Sequence, residues 1–301
     1  MSEPFASVAS PTARELATTE HAHRRLGPRG VSASSLGAMT FLVVCAMYFL
    51  MPFSWLIVAA TKTQGDLYNT FGLWFSPHFN LLANLQQLFM GDHSIFVHWL
   101  LNTLIYAGIG AGVGTVLASI AGYALAKFIF PGRNFVFSLV LGAVLVPTTA
   151  LALPLFLLMS KVGLTNTYWS VLLPSMVSPF GVYLSRIYAA SSVPDELLEA
   201  ARIDGAGELR TFATVAMRLM TPALVTIFLF QFVGIWNNYF LPLVMLSNQQ
   251  LYPITVGLKT WGDTSILTVC GALVSAIPLL IGCMFLQRYW RSGLGTGSIK
   301  G

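Results

Sequence analysis

Residues 97–126 read VHWLLNTLIYAGIGAGVGTVLASIAGYALA and include no Asp, Glu, Lys or Arg. The hydrocarbon core of a bilayer is about 30 Å thick, and roughly 20 apolar residues cross it as an α-helix. Gly108, Gly110, Gly112 and Gly114 place small residues four apart on two adjacent faces of this helix. Such spacing lets helix backbones approach closely within a membrane. The segment therefore predicts a membrane-spanning helix that packs against other helices.

The rest of the chain has the same character. Of its 301 residues, 55% are hydrophobic and only 9% are charged, whereas soluble domains average about 25% charged residues. This composition excludes an ordinary cytosolic enzyme and a secreted disulfide scaffold. The basic residues are dispersed, so a net charge of +5 does not indicate a nucleic-acid binder. Five further charge-free stretches are long enough to cross a bilayer: Gly37–Ala60, Asn134–Ser160, Gly163–Ser185, Leu219–Phe240 and Thr264–Gln287. We therefore expect an all-α, polytopic membrane protein with six transmembrane helices.

Two other charge-free stretches predict external loops. Leu67–Gly91 is interrupted by prolyl, histidyl and amide side chains, which is typical of a loop lying near the membrane surface. The residues after Phe240 include Asn248, Gln249 and Gln250, and they predict a second external loop.

The distribution of Lys and Arg predicts the orientation of the chain. The N-terminal tail, the five loops and the C-terminal tail contain 4, 1, 2, 1, 4, 1 and 3 basic residues in that order. Loops that stay in the cytoplasm carry the excess of basic residues. The alternation therefore places both termini in the cytoplasm and requires an even number of spans.

Three regions follow from this pattern. Residues 1–35, rich in Ser, Ala and Thr, predict a disordered cytoplasmic tail. Residues 36–290 form the transmembrane domain, whose longest cytoplasmic loop is residues 187–217, and residues 291–301 form a cytoplasmic C-terminal tail. The first span is too long for a signal-peptide core and predicts a retained anchor.

Prolines occur within the later spans. Pro147 and Pro154 lie in the third, Pro174 and Pro179 in the fourth, and Pro278 in the sixth. Each removes a backbone donor and predicts a kink. The kinks are compatible with irregular packing or with helices that bend around a cavity and rearrange.

The predicted spans contain no charged side chain, which disfavours ion coupling through acidic or basic residues. The histidines and cysteines show no metal-ligand spacing, and no Ser, His and acid combination predicts a catalytic triad. A phosphate-binding loop of the Gly-x-x-x-x-Gly-Lys-Ser/Thr type is also missing. We therefore expect no enzyme activity, no metal and no cofactor, and any nucleotide energy has to come from another polypeptide.

The long loop 187–217 contains five of the eleven acidic residues. Ser192 as an N-cap, followed by proline and two acidic residues, predicts the start of a helix. Leu197, Ala200, Ala201 and Asp204 would share one face of this helix, and Gly205 suits a left-handed C-cap. A second helical segment is expected from residue 208 to 217. The loop therefore predicts a small helix–turn–helix for contact with a partner, and the alternative is a solvated loop helix.

Residues 199–206, Glu-Ala-Ala-Arg-Ile-Asp-Gly-Ala, closely resemble the EAA loop of permease subunits of ATP-binding cassette (ABC) importers. Three further segments resemble the carbohydrate branch of that family: Ala121-Gly-Tyr-Ala-Leu-Ala-Lys-Phe, Trp236-Asn-Asn-Tyr-Phe-Leu-Pro and the C-terminal Gly-Leu-Gly-Thr-Gly-Ser-Ile-Lys-Gly. The resemblance covers the chain from about residue 36. It departs from the family pattern at Arg218, where the family usually has a proline.

This resemblance implies a permease bundle of the type I ABC importers in a bacterial cytoplasmic membrane. The implied partners are a second homologous permease chain, two ABC ATPase subunits and an extracytoplasmic solute-binding protein that docks on the first and fifth loops. The residues implied to couple with the ATPase are Glu199, Ala200, Ala201, Asp204, Gly205 and Ala206. The C-terminal residues implied to face the ATPase are Gly297, Ser298, Lys300 and Gly301.

A polar and aromatic cluster near the end of the fifth span is the candidate translocation pathway. It comprises Gln231, Trp236, Asn237, Asn238 and Tyr239. Sugars bind through hydrogen bonds to hydroxyl groups and through stacking on aromatic rings. The alternative is an interfacial aromatic belt whose asparagines cap a helix end.

The substrate class and the mode of transport stay open at this point. The uncharged spans favour a neutral solute such as a sugar or an oligosaccharide, and glycerol phosphate remains an alternative substrate. A stand-alone secondary carrier or channel, or a non-transporting scaffold, are alternatives of another class.

Overall fold

The computed structural model describes residues 33–91, 94–262 and 265–295. Throughout these residues the chain forms helices joined by turns, with no strand. The helices, in chain order, are α1 (Ala33–Ala60), α2 (Asp66–Asn69), α3 (Leu81–Met90), α4 (Ile95–Lys127), α5 (Arg133–Val144), α6 (Ala152–Lys161), α7 (Tyr168–Ser175), α8 (Pro179–Ser192), α9 (Asp195–Ile203), α10 (Glu208–Thr211), α11 (Met217–Leu219), α12 (Thr221–Trp236), α13 (Phe240–Met245), α14 (Ile254–Thr260) and α15 (Ile266–Gly295). A π-helical turn, Phe212–Ala216, joins α10 to α11, and a 3₁₀ turn, Gln249–Leu251, precedes α14.

The described residues divide into a unit that ends at Phe53 and a unit that begins at Ser54, with the boundary inside α1. The part of α1 in the first unit exposes large apolar side chains such as Phe41 and Phe49. A helix that exposes apolar side chains in this way needs apolar surroundings, as a membrane-spanning helix has. All other features described below belong to the second unit.

The continuous helices account for only part of the six predicted spans. Among the described residues, three helical segments are long and apolar enough to cross a bilayer: Leu36–Ala60, Ile95–Lys127 and Ile266–Phe285. A fourth results if Glu208–Leu219 and Thr221–Trp236, which meet at 82°, are counted as one span. These regions correspond to the first, second, sixth and fifth predicted spans.

The third and fourth predicted spans, for which prolines predict kinks, are each divided into two shorter helices. The third span divides between α5 and α6, and Pro147 lies in the break. Proline cannot donate to a preceding carbonyl and disfavours helical geometry in the residue before it, so it ends a helix as readily as it kinks one. The fourth span divides between α7 and α8. Ser178 caps α8 by accepting a hydrogen bond from the Gly181 backbone N–H at 3.0 Å, and Pro179 is the first helical residue.

The long helix α4 lies at the centre of the second unit and packs against α8 and α12. Two glycines permit the close approach. A Cβ atom at Gly114 would clash with the Gln231 side chain of α12 and lie 2.9 Å from the Met176 carbonyl oxygen, and one at Gly122 would lie 2.7 Å from the Arg186 backbone nitrogen of α8. Gly112 has no atom within 4 Å of such a position. One of the two predicted small-residue faces therefore packs against neighbouring helices, and the other is open.

Buried clusters lie at both ends of α4. Near its N-terminus, Phe96 and Trp99 pack with Leu88, Ile254 and Cys270, which joins α3, α14 and α15 to α4. Near its C-terminus, Tyr123 packs with residues of α8, α9 and the π-helical turn. Since α4 is about 50 Å long at 1.5 Å per residue, the two clusters lie at opposite ends of the bundle.

Candidate coupling surface and polar cluster

The helix predicted in the loop 187–217 is present as α9, but its start differs from the prediction. Ser192 is the last residue of α8, and Pro194 is the residue that precedes α9. The predicted Ser192 N-cap is therefore wrong, because the preceding helix continues through residues 187–192, the first six residues of the predicted loop. Asp195 and Glu196 occupy the first turn of α9, as predicted, where they stabilise the positive end of the helix dipole.

One side of α9 is attached to the body of the bundle. Leu198 is 3% exposed and packs in one cluster with Tyr123 of α4 and with Val193, Phe212 and Met220. The aromatic rings of Tyr123 and Phe212 have centroids 5.0 Å apart. This apolar contact holds both arms of the loop against the end of α4.

Lys127, the last residue of α4, provides a polar attachment. Its Nζ donates to the Val193 carbonyl oxygen at 2.5 Å and to Asp195 Oδ1 at 2.7 Å. The Lys127 side chain is 8% exposed, while that of Asp195 is 74% exposed. The Lys127 amine thus bonds to the backbone just before α9 and to the side chain of Asp195, the first residue of α9. This contact has no local sequence signal, because 66 residues separate Lys127 from Val193.

The C-terminus of α9 ends in the predicted glycine turn. Gly205 has φ of +78°, which glycine adopts without the steric cost of a Cβ atom. Its N–H bonds to the Arg202 carbonyl oxygen at 3.0 Å, and the Ala206 N–H bonds to the Ala201 carbonyl oxygen at 2.9 Å. This pair of bonds is a Schellman motif. The prediction of a left-handed C-cap at Gly205 is confirmed.

The two arms of the loop are also joined by an ion pair. Arg202 Nε donates to Glu208 Oε1 at 2.8 Å, and this hydrogen bond is the main cause that raises the pKa of Arg202. Both side chains are about half exposed, so the pair adds little free energy and mainly favours one relative position of the arms.

Most of the remaining surface of α9 and its turn is exposed. Glu199, Ala200, Asp204 and Gly205 are exposed, whereas Ala201 and Ala206 are partly buried. Two large apolar side chains lie beside them, since Ile203 is 87% exposed and Leu209 is 82% exposed. The predicted coupling residues therefore belong to one exposed, partly apolar surface, which we call the α9 surface: Glu199, Ala200, Ala201, Ile203, Asp204, Gly205, Ala206 and Leu209.

The predicted pathway residues lie at and after the end of α12, and their environments differ. Trp236 is 3% exposed, and its ring centroid is 5.5 Å from that of Phe232. Gln231 is partly buried, with its Oε1 accepting from Thr115 Oγ1 at 3.3 Å. The cluster therefore begins inside the helix packing.

The other members of this cluster follow the end of α12. Asn237 is exposed, and its side chain donates to the Val233 carbonyl oxygen at 2.8 Å. Asn238 and Tyr239 are partly buried, and the Asn238 carbonyl oxygen accepts from Thr255 Oγ1 at 2.8 Å. Asn237 is thus the exposed amide of the cluster, and the backbone N–H groups of both asparagines bond to carbonyl oxygens of the last turn of α12.

Polar side chains near the N-terminus of α4 hold the fifth loop in place. Trp99 Nε1 donates to the Gln249 carbonyl oxygen at 2.9 Å, Asn102 Nδ2 donates to that of Gln250 at 2.7 Å, and Tyr106 donates to that of Leu251 at 3.0 Å. Sequence analysis does not identify these residues as a group. Their only local signal is that they recur at helical spacing in an otherwise apolar span.

The predicted C-terminal residues Gly297, Ser298, Lys300 and Gly301 lie outside the described residues. The predicted N-terminal tail, residues 1–35, also lies outside them except for its last three residues, which begin α1.

Comparison with known proteins agrees with this architecture. Residues 114–291 match the family described as binding-protein-dependent transport system inner membrane component. The chain is 35% identical to the arabinooligosaccharides transport system permease protein AraQ of Halalkalibacterium halodurans, over 85% of this chain and 93% of the relative. It is 28% identical to the melibiose/raffinose/stachyose import permease protein MelC of Bacillus subtilis, over 91% of this chain and 100% of the relative.

A solved structure has a similar fold. It belongs to a bacterial ABC transporter involved in the import of the acidic polysaccharide alginate, and one of its chains superposes with a TM-score of 0.76 at 24% identity. The similarity covers 88% of this chain and 99% of that chain. The broken helices α5–α6 and α7–α8 therefore occur within a fold already known from an ABC importer.

Proposed function

The chain belongs to the family of binding-protein-dependent transport system inner membrane components, and on that premise we propose that it is the transmembrane permease subunit of an ABC importer for a sugar or oligosaccharide. The observation that carries this proposal is similarity along nearly the whole chain to permeases whose names specify arabinooligosaccharides. Other relatives, named for melibiose, raffinose and stachyose, support the same substrate class.

We propose that this subunit does not hydrolyse ATP and forms the pathway together with a second permease chain. Two ATPase subunits supply the energy, and a solute-binding protein delivers the substrate to the outer loops. Six crossings are compatible with the structure if α5–α6 and α7–α8 each form one broken crossing. Backbone breaks at membrane depth are tolerated where neighbouring helices satisfy the freed groups.

The α9 surface is the proposed contact with the ATPase. Its attachment through Leu198 and Lys127 connects it rigidly to α4, the central helix. A movement imposed on α9 by closure of the ATPase dimer is therefore transmitted to the bundle as a rigid-body displacement. The small side chains of Ala200 and Gly205 allow a close approach by the partner, and Ile203 supplies apolar area.

Uptake by a reconstituted complex tests the function. Proteoliposomes containing both permeases and the ATPase are supplied with binding protein, with ATP inside, and with labelled arabinooligosaccharide or glycerol phosphate. We expect ATP-dependent uptake of the oligosaccharide that requires the binding protein. Uptake without the ATPase subunits, driven by an ion gradient, would establish a secondary carrier instead.

The same assay tests the pathway residues. If Asn237 lines the route, Asn237→Leu lowers uptake at limiting substrate while the complex assembles and retains its basal ATPase activity. Trp236→Ala is the less specific variant, because Trp236 is buried against Phe232. Uptake by Asn237→Leu equal to that of the parent chain would leave the cluster with the role of ending a helix.

The orientation has its own test. In a chain without its native cysteines, single cysteines are placed at Thr260 and Gly207, which are both exposed. With both termini in the cytoplasm, Thr260→Cys reacts with an impermeant thiol reagent from outside, and Gly207→Cys reacts only after the membrane is opened. Labelling of both from one side would contradict the proposed topology.

A further inference from the structure

An aromatic pair formed by two helices lies close to an arginine on each helix. The guanidinium carbon of Arg186, on α8, lies 3.6 Å from the ring centroid of Phe137 on α5. Phe137 also stacks on Tyr183 of α8, with centroids 6.2 Å apart and ring planes 18° apart. Arg133 precedes Phe137 by four residues on α5, so both side chains lie on the same helix face. The fold thus places Arg186 over a ring that lies one helical turn from Arg133.

Neither arginine forms an ion pair within the part of the chain that the structure describes. The ion pairs there are His78–Asp66, Lys127–Asp195 and Arg202–Glu208. Both arginines are partly buried. Partial burial, and to a lesser extent the positive charge of Arg133, lower the pKa of Arg186. Two partly buried cations side by side repel each other, and an anion between them relieves this cost.

The backbone beside the pair also favours an anion. Gly132, with φ of +81°, precedes α5, and no side chain caps the first turn of this twelve-residue helix. Arg133 uses one guanidinium N–H for the Phe128 carbonyl oxygen at 3.3 Å, which leaves further donors on its planar group. The positive end of a helix dipole and the guanidinium groups attract the same kind of ligand.

The position of the pair indicates which anion is at hand. Arg133 is directly followed by the charge-free stretch Asn134–Ser160, so it lies where the apolar part of the chain begins. Ile129 is 95% exposed and Phe135 is 68% exposed on either side of it. In a membrane protein such side chains face lipid tails, and the phosphate groups of lipids lie at this boundary.

We propose that Arg133 and Arg186 form a binding site for a phosphate group, with the phosphodiester of an anionic phospholipid as its source. Guanidinium groups bind phosphate oxygens through paired hydrogen bonds. The stacked rings of Phe137 and Tyr183 hold Arg186 in position, and the exposed apolar side chains accommodate the lipid tails. This site is independent of the transport function proposed above and does not involve the α9 surface.

Lipid retention measures the site directly. The full-length chain, isolated with its co-purifying subunits, is placed in nanodiscs of phosphatidylcholine that contain a minor fraction of phosphatidylglycerol. Native mass spectrometry then gives the ratio of the two lipids retained. We expect preferential retention of phosphatidylglycerol, and a loss of about tenfold or more in that preference for the double variant Arg133→Gln/Arg186→Gln. Arg218→Gln is the matched control, because Arg218 is a single exposed arginine.

A second measurement separates lipid from free phosphate. Inorganic phosphate is titrated onto the complex in nanodiscs of phosphatidylcholine alone, and binding is followed by ³¹P line broadening. If the preference for phosphatidylglycerol depends on the two arginines, the ligand of the site is the lipid. If inorganic phosphate binds in an arginine-dependent way and no such lipid preference is seen, the ligand is the free anion. The proposal is overturned if neither is seen, or if Arg218→Gln removes as much phosphatidylglycerol as the double variant. A thermal unfolding profile equal to that of the parent complex shows that the variants are folded.

Discussion

The glycine turn after α9 offers a sharp perturbation, because two nearby glycines differ in conformation and share the same open surroundings. Gly205 has φ of +78°, and Gly207 has φ of −70°. A Cβ atom at either position would meet no atom within 4 Å. Valine at residue 205 therefore causes backbone strain without a steric clash, and valine at residue 207 causes neither.

The magnitude follows from the backbone conformation. A residue other than glycine held at positive φ costs about 1–3 kcal/mol, with β-branched residues at the unfavourable end. A difference of this size changes the population of the native turn by about 5- to 150-fold. The hydrogen bonds at risk are the 2.9 Å and 3.0 Å bonds of the Schellman motif, which fix the end of α9 and the position of Ile203 beside it.

The assay is substrate-stimulated ATP hydrolysis together with uptake in the reconstituted complex. Gly205→Val is expected to lower both by about tenfold, while membrane insertion and basal assembly of the two permeases stay normal. Gly205→Asn should retain most of the activity, because asparagine tolerates the left-handed conformation. Gly207→Val should behave as the parent chain does.

Two outcomes would refute the reasoning. Coupled transport by Gly205→Val equal to that of the parent chain would show that the α9 turn does not position a contact with the ATPase. Equal losses for Gly205→Val and Gly207→Val would show that bulk at this surface matters and that backbone conformation does not.

Two further predictions concern stability. Gly114→Ala is expected to lower the stability of the detergent-solubilised chain by about 1–3 kcal/mol, because its Cβ would lie 2.9 Å from the Met176 carbonyl oxygen; Gly112→Ala, with no atom within 4 Å, should leave the thermal midpoint unchanged. Lys127→Gln removes the charged partner of the backbone before α9 and should weaken protection of this loop in amide hydrogen exchange by about 1–2 kcal/mol. Arg202→Gln, which removes an exposed ion pair, should change that protection by less than about 1 kcal/mol, and an equal effect of the two variants would contradict the anchoring role of Lys127.

Features that depend on neighbouring residues can be predicted from the sequence. The long apolar helices α1, α4 and α15 follow from composition alone, because an uninterrupted apolar helix of that length satisfies its backbone internally whatever surrounds it. The glycine turn at Gly205 is likewise local, since its geometry depends on one residue without a side chain.

The prolines show a feature that neighbouring residues alone do not determine. Pro147 lies in a break between two helices, while Pro278 lies inside the continuous helix α15. A proline in an apolar stretch is compatible with a kink or with a break, and the choice depends on which neighbouring groups satisfy the freed carbonyls. The division of the third and fourth spans into two helices each comes from this dependence, and the Ser178–Pro179 pair marks the start of the second helix of the fourth span.

Whether a feature could be predicted from the sequence or required the tertiary structure depends on how far apart its residues lie in the chain. Composition and periodicity were sufficient for an all-helical membrane protein with a helix–turn–helix in its long loop, because these properties arise within one or two helical turns. The attachment of that loop by Lys127, the hydrogen bond of Trp99 to the fifth loop, and the contact of Arg186 with Phe137 required the folded chain. Each joins residues some 50 to 150 positions apart, and such contacts arise only when separate helices pack side by side.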